Sequence, residues 1–411
     1  MTTVLLDGAS RYDATRTDAG AAGLTHVHRA PASGHHHRST RASACRQYIC
    51  EHCRSSMPRP HSIAVIAGDG IGPEVTHAAL RVLDAAEERF GFSTSREEYP
   101  WSSARYVEFG AHVTRADVEA LRKHEAILFG AVGDPRAPRG VVEREIIFGL
   151  RQGLDLYVNL RPIVLYDERL TPLKGKRPLD IDIVVVRENT EDVYTQPGRI
   201  TGVGNDEVGE APMRFTRPGI ERIVRYAFAL ARSRPKSHLT LVDKSNAIPI
   251  QELWRTIFEE IGSRYRDVRR DAMYVDACCM WMVQKPEQFD VIVTTNLFGD
   301  IITDLGAGIA GGLGIAASGN IHPGQTSMFE PIHGSAPKYA GQGVASPLGS
   351  IGALAMLLRH VNEDAAADAI EGAIGDGLRR GRIKGAEAGA QPTMEVADIV
   401  AESLAGARTR P

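Results

Sequence analysis

Cysteine is scarce in this chain: five in 411 residues, three of them crowded at Cys45, Cys50 and Cys53 and two adjacent at Cys278 and Cys279. That spacing excludes the even cysteine framework of a small secreted domain and fits a reducing compartment, so a cytoplasmic protein is expected. Excess charge of one sign is missing as well. The formal net charge is -3, which gives neither nucleic acid nor an anionic membrane an electrostatic hold. No apolar run approaches the roughly 18 residues of a membrane span, and the first residues lack the basic-then-apolar order of a secretory signal. Small metabolites are therefore the expected partners.

What is present is an ordinary globular composition, 43% hydrophobic and 24% charged, in a chain too long for one compact core, so two domains are expected within one body. Residues 1–56 stand apart. They are rich in Arg, His, Ser, Thr and Gly without apolar periodicity, and read as a disordered leader or as the product of a start assigned too early, with Met57 as the true first residue. His35 to His37 and the three nearby cysteines bring zinc-type ligands but no complete four-ligand pattern.

From Ser62 onward the text is that of an α/β protein. Ile63-Ala-Val-Ile66 is a short buried strand that breaks at Gly68-Asp-Gly-Ile-Gly-Pro-Glu74 into a helix whose Pro73 suits a first turn. The spacing is G-x-G-x-G rather than G-x-G-x-x-G, so it is no dinucleotide fingerprint, and the glycines serve equally a tight turn or the approach of a ligand. Ala126 to Phe129 forms a second strand with a glycine-rich exit. Arg151, Arg161 and Arg187 each adjoin an apolar segment, and three guanidinium groups near buried structure favour a substrate bearing carboxylates over purely internal pairing. Lys244, after Leu239 to Val242, and Tyr194, beyond Ile183 to Val186, are candidate proton-transfer groups at strand exits. Thr195 to Arg217 is expected as an exposed arm, and Ile351 to Leu358 as part of an amphipathic helix.

The run Val291-Ile-Val293 reads as a buried strand, and Asp300 and Asp304 follow at helical i, i+4 spacing, facing the same way. With Thr303 and Asn296 as their polar neighbours in sequence, two such acids need a cation or strong solvation, and a divalent metal answers that need. Taken alone, the pair better suits the acid-rich N-terminal turn of a helix, and the rest of the chain has to reverse that preference.

These segments together resemble the isocitrate/isopropylmalate dehydrogenase family of β-decarboxylating dehydrogenases, nearest its isopropylmalate branch. The marks are Gly68-Asp-Gly-Ile-Gly-Pro-Glu74, Leu150-Arg151 with Asn159-Leu-Arg-Pro162, Val186-Arg-Glu188, Asp243-Lys-Ser-Asn246, Asn296-Leu-Phe-Gly-Asp300 with Asp304, and Glu330-Pro-Ile-His-Gly-Ser-Ala-Pro337, spread over 62–405. The resemblance implies a two-domain α/β isopropylmalate dehydrogenase-like fold with a large mixed sheet, not a true Rossmann. Residues 57–156 and 311–411 would form the cofactor-binding domain, and 157–310 the domain with the metal site, the arm and the dimer interface. It implies a homodimer with shared active sites. Asp300 and Asp304 would bind Mg²⁺ or Mn²⁺ from one subunit, with Asp276 and the catalytic Lys244 reaching in from the other. Arg151, Arg161, Arg187 and Asn246 would hold a 2-hydroxy diacid, and Tyr194 would be the second proton-transfer group.

The implied reaction is oxidative decarboxylation of a 3-substituted malate by hydride transfer to NAD or NADP, with 3-isopropylmalate to 4-methyl-2-oxopentanoate as the first choice. Ile147 and Phe148, where isocitrate-specific relatives carry small polar residues, disfavour a third carboxylate. Tartrate, D-malate and 3-methylmalate stay open as alternatives, because Arg187-Glu-Asn-Thr-Glu191 also resembles the tartrate and isocitrate branches. The cofactor loop would be His333, Gly334, Ser335, Ala336, Pro337, Lys338 and Tyr339, with Ser346 near the adenine. Lys338-Tyr339 replaces the Asp-Ile of NAD-specific relatives, so the charge leans towards the 2′-phosphate of NADP, although NAD is usual for the branch. A non-catalytic regulatory paralogue would have lost an acid or a proton-transfer group, and all are present.

Overall fold

The buried segments 183–186 and 291–293 form strands because apolar β-branched residues run together there. The computed structural model describes residues 59–406 apart from 111–112, 139–140, 142 and 196–197. The readings of residues 1–56 therefore lie outside the described residues. The strands are β1 (His61–Gly68), β2 (Thr94–Glu98), β3 (Ala126–Ala131), β4 (Val158–Val164), β5 (Asp182–Glu188), β6 (Arg199–Thr201), β7 (Val208–Glu210), β8 (His238–Asp243), β9 (Arg269–Tyr274), β10 (Val291–Thr294), β11 (Ala317–Ile321) and β12 (Ser327–Pro331). The helices are α1 (Gly72–Phe90), α2 (Ser103–Phe109), α3 (Arg115–Leu121), α4 (Gly149–Gly153), α5 (Arg217–Ser233), α6 (Glu252–Gly262), α7 (Val275–Gln284), α8 (Asn296–Ala310), α9 (Leu348–His360), α10 (Asp364–Arg379) and α11 (Thr393–Gly406).

Ten strands form one mixed sheet in the order β2-β1-β3-β12-β11-β4-β5-β10-β8-β9. β11 is antiparallel to both neighbours and β4 is antiparallel to β5, so the parallel block β2-β1-β3-β12 and the parallel block β5-β10-β8-β9 run in opposite directions. This is the large mixed sheet expected, and not the wholly parallel Rossmann arrangement. β3, β8 and β10 are buried along their full length, as strands covered on both faces must be. The period of two sorts their side chains. Ile63, Val65, Val186, Val291 and Val293 pack with α1, α5, α6, α9, α10 and α11, while Ile183, Val185 and Ile292 meet α7 and α8 on the other side.

Helix α9 differs from the expected amphipathic element. Every residue from Leu348 to Leu358 except Gly352 and Met356 is buried, because α9 lies between the sheet and helices α1 and α10. A helix enclosed on all sides needs apolar residues all round. The segment expected as an arm does stand out: β6 and β7 pair as a separate hairpin, with Ile200, Val203 and Val208 exposed. No described helix is long and apolar enough to cross a membrane.

The loop after β1 closes on the loop after β12. Ile71 N–H donates to the Ser335 carbonyl at 2.8 Å, and Asp69 accepts the Ser103 N–H at 2.7 Å and the Gly133 N–H at 3.1 Å. At Gly70 φ is +59°, and a Cβ would lie 2.0 Å from the Ser335 carbonyl oxygen. Gly70→Ala is therefore expected to destabilise the protein by at least about 2 kcal/mol, read as a lower urea midpoint. An unchanged midpoint would contradict the close approach.

Candidate functional site

Helix α8 starts directly after β10, with the Thr295 side chain capping its first turn, and one helical turn places Asp300 and Asp304 on one face as expected. Their surroundings are more cationic than the local sequence suggests. Arg187 donates from Nη1 to Asp300 Oδ1, and its Nε and Nη2 both reach Asn296 Oδ1, at 3.0 and 2.7 Å. Arg161 Nη1 donates to Thr303 Oγ1 at 2.6 Å and lies 3.5 Å from Asp300 and 3.8 Å from Asp304. Non-local pairing on β4 and β5 delivers these partners, with Arg187 set in register between Asn159 on β4 and Thr294 on β10.

The two acids are not equivalent. Burial raises the Asp300 carboxyl, but Arg187, Arg161 and hydrogen bonds outweigh it and hold the group below its ordinary value. Burial also raises Asp304, and there Arg161 does not compensate, so its carboxyl stays above its ordinary value. Asp304 is 62% exposed and Asp300 40%. Two hard oxygen donors on one exposed face, one of them short of countercharge, fit Mg²⁺ or Mn²⁺. Among the described residues no group of three or more His, Cys, Asp and Glu side chains could hold a metal. This chain thus brings two carboxylates to one place, and Asp276 is not joined to them.

Arg151 in α4, Arg161 and Arg187 are buried, at 6%, 6% and 2% exposure. Burial and the neighbouring guanidinium groups push Arg161 and Arg187 downward, the signature of cations crowded out of water. The internal pairing weighed against a substrate role is real: Arg151 Nη2 meets Glu330 Oε1 at 3.1 Å. Even so, among the described residues the buried Nε atoms of Arg151 and Arg161 have no hydrogen-bond acceptor. Three guanidinium groups are balanced by Asp300, Asp304 and Glu330. A doubly charged anion entering here would break that balance unless a divalent cation came with it, so carboxylate and metal fit as a pair.

Several residues here went unassigned in the sequence. Asn320 Nδ2 donates to Glu330 at 2.8 Å, while its oxygen accepts from Asn159 at 2.9 Å and from Asn189 at 3.0 Å. This amide chain fixes the acid that holds Arg151. Asn159 and Glu330 stood inside quoted motifs, but Asn320 carried no local signal.

Tyr194 lies in the short turn Val193–Thr195 and donates to Asp300 Oδ2 at 2.9 Å. Its ring stacks on Phe148 at 5.8 Å and sits under the Arg187 guanidinium at 5.6 Å. Burial, then the Asp300 carboxylate, push its phenol up to about 12, so at neutral pH it is a proton donor. Ile147, in the π-helical turn Glu143–Phe148, is half-buried against the cluster of Ile146 and Leu150. Lys244 follows β8, and its Nζ donates to Asp276 Oδ1 at 2.6 Å. That bond holds the Asp276 carboxyl below its ordinary value. Asn246 is exposed in the same turn. Among the described residues no hydrogen bond or ion pair joins the Lys244–Asp276 pair to the Asp300 cluster.

The loop after β12 carries the proposed cofactor residues. Ser335 Oγ donates to the Gly133 carbonyl at 2.6 Å, and Ala336 adopts φ 38°. Burial lowers the pKa of the His333 imidazole, and among the described residues its Nε2 has no partner. Gly334, Pro337 and Lys338 are exposed, and Lys338 Nζ lies 4.6 Å from the Tyr339 ring centroid. Ser346 Oγ turns inward to the Gly314 carbonyl at 3.3 Å. An exposed cation and an unpartnered imidazole nitrogen on one loop suit a phosphorylated nucleotide.

A family profile described as Isocitrate/isopropylmalate dehydrogenase matches residues 62–400. The chain belongs to the isocitrate/isopropylmalate dehydrogenase family. Among its relatives, 3-isopropylmalate dehydrogenase from Thermobifida fusca (strain YX) is 46% identical over 84% of this chain and 98% of its own. The protein of the same name from Mycobacterium avium (strain 104) is 49% identical over 76% and 92%. Among solved structures, isocitrate dehydrogenase from Methylococcus capsulatus superposes with a TM-score of 0.74 at 36% identity, covering 84% of this chain and 99% of that one. The mixed sheet is thus the family's fold, and the protein is a decarboxylating dehydrogenase.

In this member of the family Gly299 is the residue that lets Arg187 reach α8: a Cβ there would lie 2.4 Å from Arg187 Cγ. Gly299→Ala is expected to cost about 1–3 kcal/mol of stability and to lower kcat/KM at least about tenfold. Thermal unfolding with steady-state kinetics checks both, and wild-type values in both would contradict this packing.

Proposed function

We propose that the protein oxidises and decarboxylates a 3-substituted malate, with 3-isopropylmalate as its substrate, using a divalent cation and a nicotinamide cofactor. The observation that carries this is the meeting of the buried Arg161 and Arg187 with Asp300 and Asp304, with the Tyr194 hydroxyl on Asp300 and the Glu330-paired Arg151 close to both arginines. Arg151, Arg161 and Arg187 bind and orient the two carboxylates of the diacid. Ile147 and Phe148 line the position of the 3-substituent and favour an alkyl group over a carboxylate. Lys244 accepts the proton of the 2-hydroxyl, and Tyr194 donates a proton to carbon 3 once carbon dioxide has left. When bound, Mg²⁺ or Mn²⁺ supplies Lewis acidity at the 2-oxygen of the substrate, and the nicotinamide supplies the hydride acceptor. Relatives named 3-isopropylmalate dehydrogenase, at 44–49% identity, support this substrate over isocitrate. Arg187-Glu-Asn-Thr-Glu191 keeps D-malate, tartrate and 3-methylmalate as the second reading.

Lys244 and Asp276 stand together but apart from Asp300, and we infer that they act in the site of a second subunit of a homodimer. The two lobes, 57–156 with 311–411 and 157–310, would enclose that shared site. We infer a cytoplasmic location from the sparse, unpaired pattern of cysteines, which fits a reducing compartment. The exposed Lys338 leans the cofactor choice towards NADP.

Steady-state rates on 3-isopropylmalate, 3-methylmalate, D-malate, tartrate and isocitrate, each with NAD and NADP, test the assignment. The expected order puts 3-isopropylmalate first, and isocitrate first would overturn the role given to Ile147. Lys338→Asp is expected to lower the NADP-to-NAD ratio of kcat/KM at least about tenfold; an unchanged ratio would remove the charge argument. Lys244→Met and Tyr194→Phe should each lower kcat on the order of 10²–10⁴-fold with metal binding retained, and near-normal rates would exclude them as proton-transfer groups.

A further inference from the structure

Asp192 occupies a backbone position suited to glycine, with φ 75°, and is fully buried. Each of its polar groups is engaged. The N–H donates to the Arg214 carbonyl at 3.1 Å, and the carbonyl accepts the Thr195 hydroxyl at 3.2 Å. Oδ1 accepts the Val193 N–H at 2.8 Å, and Oδ2 accepts the Leu297 N–H at 2.9 Å. Val193 opens the turn that carries Tyr194, and Leu297 lies in the first turn of α8, just ahead of Asp300. The residue before adds a second tie, its Glu191 carbonyl accepting from Asn296 Nδ2 at 3.1 Å. A buried left-handed residue with its carboxylate divided between two segments does more than end a strand. It sets the distance between them.

We propose that Asp192 is a positioning residue whose carboxylate fastens the Tyr194 turn to the start of α8 and so places the Tyr194 hydroxyl on Asp300. Proton transfer needs donor and acceptor within hydrogen-bond reach, and a shift of about 1 Å costs on the order of 100-fold in rate. The kinetic part of this inference rests on the proposed decarboxylation, whereas the structural part does not.

Asp192→Gly keeps the left-handed backbone and removes both carboxylate bonds. With full-length protein, Mg²⁺, 3-isopropylmalate and the preferred nicotinamide, kcat is expected to fall on the order of 10- to 100-fold with KM within about twofold. In a Tyr194→Phe background the same substitution should cost less than about twofold, because the group it positions is gone. Equal losses in the two backgrounds, or an unchanged kcat in the single variant, overturn the proposal. Asp192→Asn keeps one oxygen for one of the two N–H groups and should lose only about threefold, again not in Tyr194→Phe; it carries the cycle should the glycine variant not fold. A crystal structure of either variant separates this role from the substrate assignment. Tyr194 displaced beyond hydrogen-bond reach of Asp300, with β5 and α8 unmoved, supports it, and a retained contact overturns it whichever substrate the enzyme takes. A wild-type protein inactive on every malate would instead sink the functional reading.

Discussion

A guanidinium group removed from water has to be matched by anions, and Arg187, 2% exposed in the middle of the sheet, is matched by Asp300 and by the side-chain oxygen of Asn296. Much of the site follows from that one pairing. It fixes the start of α8 against β5, requires glycine at position 299, and leaves Asp300 to receive the Tyr194 hydroxyl. Because Arg187 and Arg161 neutralise Asp300 more fully than Asp304, the two acids end with different affinities for protons and, by the same reasoning, for a cation.

Crowded arginines are costly unless something makes use of them. Burial, with Arg151 and each other as neighbours, weakens the preference of Arg161 and Arg187 for the charged form, and Glu330, Asp300 and Asp304 bring the cluster of three arginines only to formal neutrality. On the proposed function, such a cluster would bind weakly to a lone dianion and weakly to a lone divalent cation, since each adds uncompensated charge. Both together restore the balance. Charge alone would then couple metal and substrate, and such a coupling is reciprocal.

Fold class was legible in the sequence, and so was the shared face of Asp300 and Asp304, because runs and helical spacing are local patterns. Apolar runs such as Val291 to Val293 report a covered strand, and i, i+4 spacing reports a shared helical face. What was not legible depends on partners distant in the chain. Asp300 and Asp304 read as bare acids beside Thr303 and Asn296, although Arg187 stands 113 residues from Asp300 in sequence. The enclosed helix α9 read as amphipathic because its apolar residues alone do not say how many neighbours surround it. Asn320 joins the amide chain behind Arg151 only through the pairing of β11 with β4. Asp192 drew no reading from the sequence, because its left-handed backbone has no counterpart in composition.

On the proposed function, this arginine–aspartate junction takes up a divalent cation and a dicarboxylate as a unit. Calorimetric titration of Mn²⁺ into the full-length protein, with and without saturating 3-isopropylmalate, measures that coupling directly. The predicted result is metal affinity at least about tenfold higher with substrate present, a coupling of about 1.4 kcal/mol. An Mn²⁺ affinity unchanged by substrate would contradict it.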